Sequence, residues 1–302
     1  MKRHMFALGL LGASAAIPAE AFGCATVSAS APSLRYDPLS LSTIPAEPIS
    51  LTFVRQPQTM GYVSGVRYQF ASPFQFGPIF TIGTQGPRFD IESHGGTVLA
   101  GQTNTPLTPA NSAIVEFGDS DASNMRSADA LRLHLEPGLA VASDDYVSRL
   151  NLRYECVFSD GTVSAVMERQ NVLSLTAVVP NLISVNLAGG GKSGVIDFGG
   201  FQQTIQSAEV QVRSTGPYRV TTSSTNLGSL KLEGGLPDHP SIPYNLYLDG
   251  HAIGAATARI YQPAGAHGIR LPLEAEVTSD LRSYRAGLYK DEVTVTFTPS
   301  GL

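Results

Sequence analysis

The chain of 302 residues is 42% hydrophobic and 15% charged, with 20 Lys and Arg against 25 Asp and Glu, 30 Gly, 20 Pro and two Cys. That is length for two domains with a core in each, and Gly and Pro scattered between short apolar runs point to many turns and an all-β class. The charged fraction, well below the usual quarter, fits an extracytoplasmic sandwich, and a net charge of −5 with no basic patch excludes nucleic acid as a partner.

The first residues, MKRHMFALGLLGASAAIPAEA, read as a secretory signal peptide over 1–21: a basic start, an apolar stretch from Met5 to about Ile17, and Ala19 and Ala21 flanking Glu20. The apolar run falls short of the roughly 20 residues a spanning helix needs, and no later stretch reads as a transmembrane segment. Loss of Lys2, Arg3 and Glu20 moves the net charge to −6. The mature product is expected to be exported and soluble. In an oxidising compartment Cys24 and Cys156 are expected to pair. The loop of about 130 residues they close is worth on the order of 4–5 kcal/mol in the chain-entropy account. It would pin the first and last strands of the front half together.

Strands are predicted in chain order at CATVSAS from Cys24, ISLTFVR from Ile49, YVSGVRYQF from Tyr62, RFDIE from Arg88, AIVEF from Ala113, ALRLHLE from Ala130 and DYVSRLNLRYEC from Asp145. Leu131, Leu133 and Leu135 alternate with Arg132, His134 and Glu136, so His134 is expected on a solvated face. Between two of these runs, ASPFQFGPIFTIGTQGP crowds Phe74, Phe76, Ile79 and Phe80 among Pro73, Gly77 and Pro78. Turn chemistry makes this a loop, either folded back into the core or presenting an apolar patch for binding. A hairpin at Ser159-Asp160-Gly161 leads into a linker, which divides the chain into a front domain over 22–175 and a rear domain over 176–302.

The rear half runs NLISVNL, a Gly-rich turn, GVIDFG, AEVQVRS, YRVTTSS, SLKL, IPYNLYLDG, ARIYQP, GIRLPLEAEV and a final strand in which Val293, Val295 and Phe297 alternate with Thr294, Thr296 and Thr298. One motif occurs in both halves. Tyr146, Leu150, Leu152 and Tyr154 fall at the offsets of Tyr289, Val293, Val295 and Phe297, with Ser148 at the place of Asp291, which suggests two domains of one kind.

Catalytic patterns are missing. AGGGKSG from Ala188 has Asn186 where a phosphate loop needs its first glycine, and reads as a turn. No histidines stand at zinc-ligand spacing, no Gly-x-Ser-x-Gly elbow occurs, and Asp144 and Asp145 have no second acid placed opposite them. GDSDASN could bring Asp119, Asp121 and Asn124 to a calcium ion, but its spacing departs from the calcium-loop pattern. No metal, cofactor or catalytic residue is assigned, and an enzyme is disfavoured.

The segments VPNLISVNL, VIDFGGF, VQVRSTGPYRVTTSSTNLGSL, IPYNLYLDG and RAGLYKDEVTVTF, in this order over most of 178–302, resemble the spore coat protein U family, whose domain builds subunits of archaic chaperone-usher pili. The front half looks like a more diverged copy whose middle departs from the family. The resemblance implies two tandem immunoglobulin-like β-sandwiches, the rear one an incomplete pilin fold lacking its last strand. A periplasmic pilus chaperone fills the gap first, and then, at an outer-membrane usher, the N-terminal arm of the next pilin subunit. Val293, Val295 and Phe297 would line the acceptor groove, with Phe201, Val210, Val212, Tyr218 and Val220 as neighbours.

A donating arm needs about ten free residues, and only Phe22 and Gly23 stand between Ala21 and Cys24. The expectation is therefore a tip subunit resembling the two-domain adhesins of the Csu type, exported through the periplasm to the cell surface. Its rear half would be the anchor, and its front half would bind an unknown surface or receptor, through Phe74, Phe76, Ile79 and Phe80 if that loop is adhesive. A minor structural pilin or spore-coat-like structural protein is the nearest rival. A secreted carbohydrate-binding β-sandwich is the rival from another class.

Overall fold

The computed structural model describes residues 23–40, 42–58, 61–72, 79–101, 105–118, 124–236, 238–254 and 258–300. The front half contains β1 (Ala25–Ser30), β2 (Ser33–Arg35), β3 (Glu47–Arg55), β4 (Val63–Ala71), β5 (Phe80–Thr81), β6 (Arg88–Glu92), β7 (Ala100–Gly101), β8 (Ala113–Glu116), β9 (Arg126–Leu135), β10 (Asp144–Phe158) and β11 (Met167–Val179). The rear half contains β12 (Ile183–Leu187), β13 (Ile205–Ser214), β14 (Tyr218–Ser224), β15 (Ser229–Leu232), β16 (Ile242–Leu248), β17 (His251–Ala252), β18 (Arg259–Tyr261), β19 (Gly265–Val277), β20 (Tyr289–Lys290) and β21 (Val293–Pro299). Among the described residues the helical content is one 3-10 turn, Leu281–Ser283. Among those residues no helix is long and apolar enough to cross a membrane. The signal segment lies outside the described residues.

In the front sandwich one sheet orders β1-β3-β9-β6-β5 and the other β2-β11-β10-β4-β7, with β8 also on β4. Period-two alternation turns Ile49, Leu51 and Phe53 of β3 and Leu131, Leu133 and Leu135 of β9 inward, where all are buried against Tyr68, Phe70, Leu150, Leu152 and Leu175 of the facing sheet. Each fully buried side chain of this size contributes about 1.5–3 kcal/mol. Cys24, just before β1, is bonded to Cys156 of β10 with 6.1 Å between the Cα atoms. The bond thus joins the two sheets through the core.

Three expectations are corrected here. The strand ending at Cys156 is not the last of the front sandwich, because the turn at Ser159–Gly161 returns the chain into β11, which pairs with β10 antiparallel from Tyr154↔Met167 to Asp144↔Val179. The segment read as a linker alternates Leu173, Leu175, Ala177 and Val179, all buried. The break between the sandwiches therefore falls at residues 180–182, between β11 and β12. GVIDFG, expected among the rear runs, forms no strand; Ile196 and Phe198 turn into the core without pairing.

The rear sandwich has one sheet ordered β12-β13-β19-β16-β15-β20, with β17 beside β16, facing a three-stranded sheet β18-β14-β21. A dense polar joint connects it to the front. Thr215, 2% exposed, donates its hydroxyl to Pro180 O (2.7 Å) and accepts from Leu182 N (2.7 Å), while its carbonyl accepts from Ser143 N (2.9 Å). Arg213 Nη2 donates to Leu39 O at 2.8 Å. Asn181 Nδ2 donates to both Pro217 O and Ser300 O. Gly216 has no room for a side chain: a Cβ there would lie 2.6 Å from Ser143 Oγ and 2.7 Å from Asn181 Oδ1.

Candidate functional site

The repeated motif becomes one repeated local structure. Tyr146 OH donates to Ala142 O at 3.0 Å, and Tyr289 OH donates to Arg285 O at 3.1 Å, each four residues back at the entry to a long strand. This is a tyrosine corner made twice. β10 and β21 are thereby equivalent, as are their inner neighbours β4 and β14. The surroundings of the two strands differ on the other edge. β10 lies between β4 and β11, and β11 is flanked in turn by β2. β21 pairs along its whole length with β14, Tyr218↔Pro299 to Ser224↔Val293, and among the described residues no strand pairs its second edge. β12, at the edge of the facing sheet, comes within 8 Å of β21 (Cα to Cα) without pairing with it.

Burial follows the same division. Leu150, Leu152 and Tyr154 are exposed by 2% or less, whereas the equivalent Val293, Val295 and Phe297 are half-buried. Among the described residues the front core is one cluster of thirty-one buried side chains. The rear core falls into two clusters, of seven and four, each fringed by nine partly covered apolar residues. A row of half-buried apolar residues beside unpaired backbone N–H and C=O groups is a surface that a further strand can cover.

The residues expected to form the groove are divided between those clusters. Val210, Val212, Tyr218 and Val220 are buried with Val295 and Phe297 against them. Phe201 belongs to the other cluster with Val293; it stacks on Phe198 (5.8 Å between ring centroids) and meets Tyr289 edge-on at 6.3 Å. Ile183, Val185 and Leu187 of β12 complete the fringe. They were not among the expected residues, although the alternation in NLISVNL carries the signal.

Asp291, between β20 and β21, organises the entrance to the open edge. Its carboxylate accepts from Ser224 Oγ (2.5 Å), Asn226 N (3.0 Å) and the Tyr244 hydroxyl. Burial, with that carboxylate adjacent, raises the pKa of Tyr244. Deeper in, Tyr218 stacks on Tyr261 at 5.4 Å, and its buried hydroxyl has no hydrogen-bond partner among the described residues. Burial, reinforced by Tyr261 and Asp249, pushes that hydroxyl up to about 12.

The aromatic segment of the front domain divides. Phe74 and Phe76 lie outside the described residues. Phe80 is corrected from a candidate surface contact to a core residue: it is fully buried in β5, opposite Phe89 with 5.5 Å between rings. Ile79 is 51% exposed. The following turn rests on Tyr146, so closely that a Cβ on Gly86 would lie 2.8 Å from its ring. β10 begins at Asp144, one residue beyond the Ser143 contact with Thr215, so Ile79 and Phe80 sit at the end of the front sandwich that faces the rear domain.

The opposite end carries a cleft of about 430 Å³ lined by Arg55, Gln56, Pro57, Gln58, Gly61, Tyr62 and Val63. Arg55 forms its floor, donating Nη1 to Val63 O (3.2 Å), with its guanidinium 5.6 Å from the Tyr62 ring. His134, expected to be solvated, is paired with Glu92 at 2.9 Å. Asp144 and Asp145 are exposed. Asp119 and Asp121 of the calcium candidate lie outside the described residues, and Asn124 has a left-handed backbone, φ +63°. Among the described residues no group of three or more metal-binding side chains occurs.

No protein-family model matches the chain, and no curated protein matches it. Among solved structures it is similar to the CsuC-CsuE chaperone-tip adhesion subunit pre-assembly complex of the archaic chaperone-usher Csu pili of Acinetobacter baumannii (12% identity, 90% of this chain and 99% of that chain covered, TM-score 0.43). It is also similar to a chaperone-tip adhesin complex of CFA/I fimbriae (14%, 91% and 84% covered, TM-score 0.39). A third similar structure is the CupB6 tip adhesin from Pseudomonas aeruginosa (13%, 91% and 94%, TM-score 0.39).

Proposed function

We propose that this chain is the tip adhesin of a chaperone-usher pilus. Its rear sandwich accepts a strand from a periplasmic chaperone and then from the arm of the next subunit, and its front sandwich contacts a surface or receptor. The observation that carries the reading is internal to the molecule: β10 and β21 are the same strand in two copies, and among the described residues only β10 has a neighbour on its second edge. The front domain is the worked example of what the rear one takes. There β11 lays Leu173, Leu175, Ala177 and Val179 into the core antiparallel to β10, so an alternating apolar segment beside Val293, Val295 and Phe297 would close the rear core in the same way.

β1 follows directly on the bonded Cys24 and pairs over its whole length with β3, Ala25↔Arg55 to Ser30↔Ser50, so β1 itself belongs to the front sandwich. For surface contact we assign the outer end of the front domain, around Gln56, Gln58 and Tyr62, because Ile79 sits at the end nearer the rear domain.

Periplasmic expression of the mature chain with and without a candidate chaperone tests the first part. Soluble protein is expected only with the chaperone and in an equimolar complex, and Val295→Asp is expected to abolish recovery of that complex. A chaperone-independent monomer with a protease-resistant rear domain would refute the reading. For the second part, Gln58→Ala with Tyr62→Ala is expected to reduce attachment of normally piliated cells, and Ile79→Ser to leave it unchanged.

A further inference from the structure

The outer cleft of the front domain is made by the connection from β3 to β4, and hydrogen bonds fix its walls. Gln56 N donates to Cys24 O at 2.8 Å, and Gln58 Nε2 donates to Gly23 O at 2.9 Å and to Pro57 O at 3.0 Å. This wall therefore hangs on the residues at the Cys24–Cys156 bond. Opposite, Tyr62 O accepts from Ser159 N at 3.0 Å, at the turn that returns β10 into β11. The floor is Arg55, 2% exposed, whose guanidinium lies 5.6 Å from the Tyr62 ring and 5.9 Å from the Phe117 ring.

These bonds decide which polar groups remain for a ligand. Each glutamine commits its amide N–H donors to backbone carbonyls, Gln56 to Val54 O at 3.5 Å and Gln58 to Gly23 O and Pro57 O. Among the described residues neither side-chain oxygen accepts a hydrogen bond, and the Tyr62 hydroxyl makes none. What is left is two amide acceptors, a phenol and a half-buried aromatic ring above a cationic floor. An anion would set its oxygens against the amide oxygens, and an ammonium would meet the Arg55 guanidinium. A neutral polyol avoids both conflicts. Its hydroxyls donate to the amide oxygens, and the apolar face of a sugar ring lies on an aromatic one. The volume of about 430 Å³ is that of a small-ligand site.

We propose that this cleft binds a neutral saccharide, with Gln56 and Gln58 accepting from its hydroxyls and Tyr62 carrying its ring. The proposal rests on the reading that the outer end of the front domain is the contact surface, and it names the class of ligand met there.

The mature full chain, purified with or without a chaperone, is applied to an array of neutral hexose and N-acetylhexosamine di- and trisaccharides beside their sialylated, sulfated and phosphorylated forms. Binding is expected on neutral saccharides, and weaker binding on each acidic form. Gln56→Ala, which removes one long side-chain bond, is expected to keep the urea midpoint and to lower affinity about two- to tenfold, the scale of a single hydrogen bond. Tyr62→Ala is expected to lower it about tenfold, and Tyr62→Phe, which keeps the ring, by less. Binding confined to acidic saccharides, or to none, would overturn the ligand class, as would neutral binding unchanged in both Gln56→Ala and Tyr62→Ala. Attachment of piliated cells separates this failure from that of the reading beneath it. If Gln58→Ala with Tyr62→Ala still reduces attachment, the outer end remains the contact surface and only the ligand is wrong. If attachment is unchanged as well, the contact surface lies elsewhere and the proposal falls with it.

Discussion

Asp291 and Ser148 occupy one position in two copies of a motif, yet only the rear copy needs a charge there. Ser148 is buried in a complete sheet, whereas Asp291 holds the Ser224–Asn226 turn and Tyr244 at the entrance to an open one. Asp291→Ala would take the carboxylate acceptor from Ser224 Oγ and the buried Tyr244 hydroxyl, and leave Asn226 N with Ser224 Oγ alone. We expect it to cost the rear domain about 2–4 kcal/mol, read from the urea midpoint, with Asp291→Ser recovering part of that. Tyr218→Phe is expected to go the other way, neutral to about 1 kcal/mol stabilising, since it removes a buried hydroxyl without a partner. The same hydroxyl sets a pH dependence. Its pKa is raised from 10.0 to about 12 in the fold, so the unfolded chain loses the proton first as pH rises. Its contribution is constant below pH 10 and stability is lost between 10 and about 12. Alkaline titration of Tyr218→Phe should show a shallower loss over that window.

At the level of single strands, equivalent positions should respond unequally. Leu152→Ala in β10 leaves a cavity in a closed core and is expected to cost about 2–5 kcal/mol. Val295→Ala in β21, already half-exposed, should cost the free chain about 1 kcal/mol or less, and the cost should rise when the edge is covered. Denaturant titrations of each variant, with and without the partner, measure both. The strands themselves were legible in the sequence because alternation such as Leu131, Leu133, Leu135 is local information, and the doubled tyrosine motif was legible for the same reason. β11 was not, although Leu173, Leu175 and Ala177 alternate cleanly: whether a strand belongs to the sandwich behind it or to a linker is decided by pairing with β10 and β2. Phe80 was left open between core and surface for a related reason. An aromatic flanked by Pro and Gly reads alike in a core-folded loop and in an exposed one, and only its position opposite Phe89 separates them. The Asp291 clasp joins residues 47 to 67 positions apart, beyond the reach of any local pattern.

For the molecule as a whole, one continuous core in front and two smaller ones behind imply two unfolding transitions, the rear at lower denaturant. Reducing Cys24–Cys156 should lower only the front transition, by about 2–5 kcal/mol. Gly216→Ala should disturb neither sandwich greatly but wedge Ser143 from Asn181. A larger radius of gyration in solution scattering and faster protease cleavage at 180–182 would register the loosened joint. The run from β11 through residues 180–182 into β12 has a mechanical consequence. In the proposed role, tension between a surface at the outer end of the front domain and a fibre behind would enter β11 at Val179 and act along its length, so the ladder to β10 would be sheared instead of unzipped bond by bond. If that ladder gave way, the chain would pay out only back to the knot at Cys156, and the rest of the front sandwich would keep its hold while it stretched.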